Sequence, residues 1–440
     1  MPKADTHSNQ PGRANDEIES PRDRPFNAWR TPQTEKAKAI VRDIIGQVQV
    51  YERYYAVRKR RRKNEDQQTF EATVSALICD AAQHYLTERG GGVFVTRSNQ
   101  VLGQRSRYRP LAYGKCLPTI IDRLATPEMA FLKQEVGSRN PFTGDRRTVI
   151  HCGSRLISRI EDYGLGLEDL GQSEGEEVII LKRAKDAADY WDDGGLEEYE
   201  DMPATCQYRT EVEAINHWLA ESDIAFDDTV LKRDKIIDPN ERRLRRLFTR
   251  GRFDSGGRLF GGFWQDLTKN QRREGLILDG EEAMELDYGQ MTPRILYGLG
   301  RSVPPFHDLY VIPGFEFHRR GVKKIMNAML FANKRLFRMP QGVRLEFSLK
   351  HRMDEVMKAI EATHPALKEY FFTGIGHHAQ FRESEILVDV LLELKKRDII
   401  GLPIHDAVVV AASKRGEVRD IMLSVFHHHT GIHGVVGGES

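Results

Sequence analysis

Two apolar runs that each stop at an aspartate constrain this chain more than any other feature. Ala283 to Leu286 runs into Asp287-Tyr288-Gly289-Gln290, and Leu402 to Val410 is apolar except around His405-Asp406. Short apolar runs bounded by turn-forming residues predict strands. The first places Asp287 where strand passes into turn, ahead of a helix with Pro293 in its first turn. The second predicts a hairpin whose tip or first strand edge exposes Asp406 among buried Val, Ile and Leu. Taken singly, each aspartate fits a turn or capping residue better than a metal ligand. Between them, Arg319 to Ala332 has the pattern of a basic helix packed through Val322, Ile325, Met326, Met329, Leu330 and Phe331. Arg319 and Lys323 then lie one turn apart on a shared face.

The chain has 440 residues, 40% of them hydrophobic, enough for a substantial core and for two or three domains. A net charge of +1 hides local segregation: Arg58 to Lys63 is unbroken base, Arg242 to Arg250 is densely basic, and Asp192 to Asp201 is acidic. Such segregation permits nucleic-acid binding without a basic overall composition, although a charge run by itself is more often a solvated face. Cys79, Cys116, Cys152 and Cys206 are scattered, which argues against a zinc site or a disulfide scaffold. No apolar run approaches the length of a membrane span and no signal-peptide core is evident, so the expectation is a cytoplasmic protein without a membrane partner.

Residues 1–28 are polar and charged, predicting a disordered tail. An accessory domain is expected over 29–175, with helices over Lys36–Lys63, Phe70–Tyr85 and Gly114–Leu124 and strands at Val93–Thr96 and Thr148–His151. Helices followed by strands with Arg-rich loops fit a mostly helical or winged-helix-like domain, in which Arg105, Arg107 and Arg109 would approach phosphates. An ordinary helical accessory domain fits equally. Linker and thumb-like helices, Thr210–Leu219 and Glu241–Phe248, are expected over 176–252, and the main domain over 253–440. Its opening segment, Phe253 to Phe263, is rich in glycine but lacks the Gly-Lys-Ser/Thr ending of a phosphate-binding loop. His427-His428-His429 reads as a solvent-facing tail, since adjacent histidines do not share a helix face.

The order of these segments resembles the family A polymerases, which include bacterial repair-type DNA polymerases and single-subunit RNA polymerases of phages and mitochondria. Asp287-Tyr288-Gly289-Gln290-Met291-Thr292-Pro293-Arg294 resembles their first palm motif. Arg319, Lys323, Phe331 and Ala332 are at the spacing of their fingers helix, and Ile404-His405-Asp406 followed by Ala407-Val408-Val409-Val410 resembles their last motif. Gly257-Arg258-Leu259 and Gln380 resemble further primer–template elements, so the likeness spans about 240–430. It implies an α+β right-hand polymerase core, with an antiparallel palm sheet and helical fingers. By the same resemblance, Asp287 and Asp406, with backbone at Tyr288, would bind two Mg²⁺ ions, for which Mn²⁺ can substitute. Lys323 and Arg319 would contact the triphosphate, and His405 would orient the primer end. Phe331, Asn327, Thr292 and Tyr288 would border the nucleotide, and Arg258, Gln380 and Arg294 the nucleic acid. The partners implied are a DNA template, a nascent RNA or DNA strand and nucleoside triphosphates, in a bacterial or phage-infected cell.

The departures bear on sugar choice. Family A DNA polymerases carry Glu five residues after the first Asp, where it crowds the ribose 2′-position; this chain has Thr292. Phe331 also lacks the hydroxyl of the usual Tyr. These point to a compact, divergent enzyme that accepts ribonucleotides, making RNA or primers. The alternatives are a family A DNA polymerase, or a non-catalytic replication initiator that keeps a polymerase-like scaffold.

Overall fold

The computed structural model describes residues 23–87, 90–138, 146–173, 175–185, 194–231, 237–348 and 350–438. Residues 1–22 of the expected tail and the start of the acidic segment at Asp192 lie outside them. Two compact units are formed, 1–104 with 110–174 and 105–109 with 175–440. No helix among the described residues is long and apolar enough to cross a membrane.

The smaller unit is mixed α+β. Helix Glu35–Tyr54 starts at Thr34, whose side chain accepts from the Ala37 N–H, and it buries Ile40, Val41, Ile44 and Val48. These recur every three or four residues, which puts them on one stripe. The helix stops short of the basic run because Ala56 turns left-handed (φ 51°). Helix Asn64–Leu86 is buried through its middle. A four-stranded sheet sets Arg24–Pro25 beside Val93–Val95, then Thr148–Cys152, then Leu132–Glu135. Residues 24–25 are therefore ordered, contrary to the tail expectation. Arg24 donates to the Asp80 carboxylate at 3.0 Å, and Asp80 is fully buried. A buried carboxylate left unpaired is costly, so the pairing fastens the segment.

In the larger unit an antiparallel sheet of six strands forms the centre. Strand Glu281–Tyr288 lies between Ala407–Ala411 and Leu276–Leu278, and its far end also pairs with Val436–Gly438. Leu402–Ile404 flanks Ala407–Ala411, and Ile224–Phe226 flanks Leu276–Leu278. Helix Gly376–Lys396 buries Phe381, Ile386, Leu387, Val390, Leu391 and Leu394 in the same core as the sheet. A second cluster gathers helix Arg319–Phe331, helix Met353–Thr363 and the loop carrying Leu309 and Tyr310.

Two local expectations fail. Residues 241–248 are not a helix: Arg245–Phe248 is a strand, antiparallel to Gly256–Phe260 and parallel to Ile179–Leu181. Its alternation is hidden in sequence because one of the two inward residues is a fully buried arginine, Arg246. The three histidines 427–429 close helix Arg415–Thr430 rather than forming a tail, and His429 Nε2 lies 2.6 Å from Asp389 Oδ2.

Candidate active site

Backbone pairing brings the two aspartates together. Asp287 is opposite Ala407 in the antiparallel ladder, and Asp406 immediately precedes Ala407. The Tyr288 N–H donates to the Asp406 carbonyl at 3.4 Å, extending the contact beyond the last ladder pair. Asp406 occupies the tip of a hairpin with a two-residue turn, preceded by His405 in the left-handed region (φ 55°). A non-glycine residue there stores strain that surrounding structure must hold. Trp264 Nε1 and Gln265 Nε2 both donate to the Pro403 carbonyl, each at 3.0 Å, and so brace the hairpin.

The carboxylates are electrostatically coupled. Asp287 is open to solvent, yet the surrounding protein displaces enough water to raise its carboxyl well above the usual range. The neighbouring Asp406 charge adds to this, Lys323 opposes it, and the result is about 7. Such a pair lacks positive charge. Among the described residues no three His, Cys, Asp or Glu side chains converge to hold a metal ion by themselves. A divalent cation here would need further oxygen ligands from substrate, water or backbone. Two carboxylates are hard oxygen donors, of the kind that suits Mg²⁺.

Opposite them, Arg319, Lys323, Asn327 and Phe331 follow one another at four-residue intervals on helix Arg319–Phe331. Lys323 Nζ is 5.9 Å and the Arg319 guanidinium 5.5 Å from the Tyr310 ring centre. Arg319 also pairs with Asp308. The Asn327 side-chain oxygen is buried and has no hydrogen-bond partner among the described residues. Phe331 meets His377 edge-on at 5.0 Å.

Tyr310 owes its place to a braced loop. Gln290, left-handed (φ 58°) at the start of helix Met291–Leu299, accepts from the Leu309 N–H at 2.7 Å and donates to the His307 carbonyl at 3.1 Å. His364 bridges the Tyr297 hydroxyl (2.8 Å) and the Leu309 carbonyl (2.9 Å).

Several anticipated contacts go elsewhere. Arg294 is buried and donates to the His307 carbonyl at 2.7 Å and the His433 carbonyl at 3.2 Å, so it is a brace rather than a nucleic-acid contact. The Tyr288 ring is buried and its hydroxyl donates to the Met422 carbonyl at 2.6 Å, which leaves only its backbone facing the site. Arg107 belongs to the larger unit, where it donates to the Tyr199 carbonyl (2.7 Å) and pairs with Asp201 (3.0 Å). Arg105 is exposed, Arg109 and Gln380 are half-buried.

Sequence reasoning missed Glu383. It lies one turn beyond Gln380 and is almost wholly buried. Arg258 donates to it at 2.8 Å and the Thr292 hydroxyl also donates to it. Burial raises its pKa, against the opposing pull of Arg258 and Thr292, and Asp406 adds to the rise. Its helical spacing from Gln380 was the available signal.

No protein-family model and no curated protein matches the chain. Among solved structures, the chain is similar to the POL domain of Pol1 from M. smegmatis in complex with DNA primer-template and dNTP. Identity is 13% and the TM-score 0.31, over 53% of this chain and 51% of that one. The matched region thus spans about half of that domain's length. Similarity at this level decides nothing about the site, whose reading rests on its own residues.

Proposed function

We propose that this chain is a template-directed nucleotidyltransferase with a right-hand polymerase core of the family A kind. It would add nucleoside monophosphates to a 3′-hydroxyl. The observation that carries the reading is the coupling of Asp287 to both Asp406 and Lys323 at one end of an antiparallel sheet. Asp287 and Asp406, with the Tyr288 backbone, would hold two Mg²⁺ ions, which when bound supply charge neutralisation and Lewis acidity at the phosphates. Lys323 and Arg319 orient the triphosphate and offset negative charge as it shifts toward pyrophosphate. Asn327 offers a free acceptor to the nucleotide and Phe331 a stacking face. His405 holds the strand terminus beside Asp406.

Thr292 favours ribonucleotides by its small size. A second reading, a DNA polymerase, is supported by its partner: the Thr292 hydroxyl is bonded to Glu383, so a carboxylate is present beside this position, contributed by another helix. Extension and de novo synthesis on single-stranded DNA with Mg²⁺ separate these readings, comparing NTPs with dNTPs, primed and unprimed, for wild type, Asp287→Ala and Asp406→Ala. NTP-dependent product lost in both variants is the expected result. Product from dNTPs alone makes the enzyme a DNA polymerase. Tight DNA binding without product under any condition makes the chain a non-catalytic binding protein.

A further inference from the structure

The basic run Arg58–Lys63 plays no part in the site above, and its setting in the smaller unit is unusual. Arg62 turns inward, its side chain 8% exposed, and donates to Glu52 Oε2 at 2.7 Å. It also lies 3.6 Å from the Phe70 ring centre, and Arg123 joins the same glutamate. This clamp fixes the loop by its one buried member. Arg58, Lys59, Arg60, Arg61 and Lys63 are left exposed, and none has an acidic partner among the described residues.

Exposed cations elsewhere in this unit are of both kinds: Arg53, Lys115 and Lys133 have no acidic partner among the described residues, whereas others are paired. Lys38 and Arg42 pair with Glu35, Arg97 with Asp122, and Arg159 with Asp43. The run differs in setting five such cations within six residues, with no acid interspersed. Five unpaired cations held at one place repel one another and favour a polyanion.

Beside them the helix end carries aromatic rings that the core does not use. Tyr54 is 81% and Tyr55 47% exposed, and the two rings meet edge-on at 4.9 Å. Tyr55 contacts Tyr51 in turn at 4.6 Å. Left-handed Ala56 ends the helix between rings and bases, so both groups flank one reversal of the chain. Cations track a phosphate backbone, and exposed aromatic faces stack unpaired bases; the two together are the chemistry of single-strand binding. A lipid surface would instead favour Trp, Phe or Leu beside the bases; the exposed aliphatic neighbours here are the valines Val50 and Val57.

We propose that the Tyr54–Tyr55 pair and the clamped run Arg58–Lys63 form a binding site for single-stranded nucleic acid, separate from the candidate active site. The test uses the full chain and fluorescence anisotropy with labelled oligothymidine, an abasic strand of the same length, and a duplex, across a KCl series. Arg58→Gln/Lys59→Gln/Arg60→Gln/Arg61→Gln is expected to flatten the log K against log salt plot by about 2–3, since each lost phosphate contact removes about 0.7 on a single strand. Tyr54→Ala/Tyr55→Ala is expected to weaken oligothymidine about tenfold and leave the abasic strand unchanged, because stacking needs a base. These side chains are exposed, so both variants should keep the wild-type melting curve. Unchanged slope and affinity would overturn the proposal. So would equal losses on duplex and single strand with no effect of the tyrosines, which would make the patch a duplex-backbone contact. Loss of binding only to vesicles of equal phosphatidylserine and phosphatidylcholine would overturn it in favour of a membrane surface. None of these results depends on polymerase activity.

Discussion

Asp287→Asn should make the folded chain more stable at high pH while destroying its proposed activity. Water displaced by the surrounding protein, with the Asp406 charge, raises the Asp287 carboxyl from an ordinary 3.8 to about 7. The folded chain therefore retains a proton that the unfolded chain has released. The stabilisation tied to that proton is complete below about pH 4 and is lost as pH rises through about 7. Three pKa units correspond to a ceiling of about 4 kcal/mol. Because Asp287 is open to solvent, screening reduces this to about 1–2 kcal/mol. Asparagine removes the charge, so the variant should melt roughly 2–5 °C above wild type at pH 8 and close to it at pH 4–5. Scanning calorimetry, following the transition of the larger unit, measures this directly. Mg²⁺ at pH 8 should raise the wild-type transition and leave the variant's unmoved, since a ligand stabilises only the state that binds it. A variant-minus-wild-type difference that is the same at pH 5 and pH 8 would refute a raised Asp287 carboxyl in the folded chain.

Two structural predictions follow from contacts around the site. Arg246 is fully buried, donates to the Gly257 carbonyl and the Ser384 hydroxyl at 3.0 Å each, and pairs with Glu385. Arg246→Met should cost about 3 kcal/mol by leaving these groups unpaired; urea unfolding that shows no loss would mean they find other partners. At Gly376, an added Cβ would come 2.7 Å from the Phe331 ring. Gly376→Ala should displace Phe331, raising KM for the nucleotide more than it lowers kcat, and steady-state kinetics would detect the reverse.

The parts of the site that were legible in sequence are those set by local rules. An apolar run stopped by Asp predicts strand and turn, and Asp287 and Asp406 are at the end of one strand and the tip of a hairpin. The four-residue stripe from Arg319 to Phe331 follows from helical period alone. The segment 241–248 failed for a physical reason: inward-facing Arg246 interrupts the apolar alternation that would have marked a strand. Its burial depends on Gly257, Ser384 and Glu385, the last two more than a hundred residues away, and no window around Arg246 contains them.

Glu383 shows the same limit more sharply, because it bears on the proposed function. Within its helix it looks like an ordinary surface glutamate near the start. Folding buries it between Arg258, from a strand more than a hundred residues earlier, and Thr292, from the helix after Asp287. In the family A motif that the segment after Asp287 resembles, a glutamate stands where this chain has Thr292, so along the chain the carboxylate is missing. In three dimensions a carboxylate is bonded to that threonine. A function inferred from the identity of one residue in a motif can therefore reverse when another element supplies the same chemical group. Under the proposed function, Thr292 and Glu383 form a unit in setting sugar preference, and Thr292→Val would test only half of it.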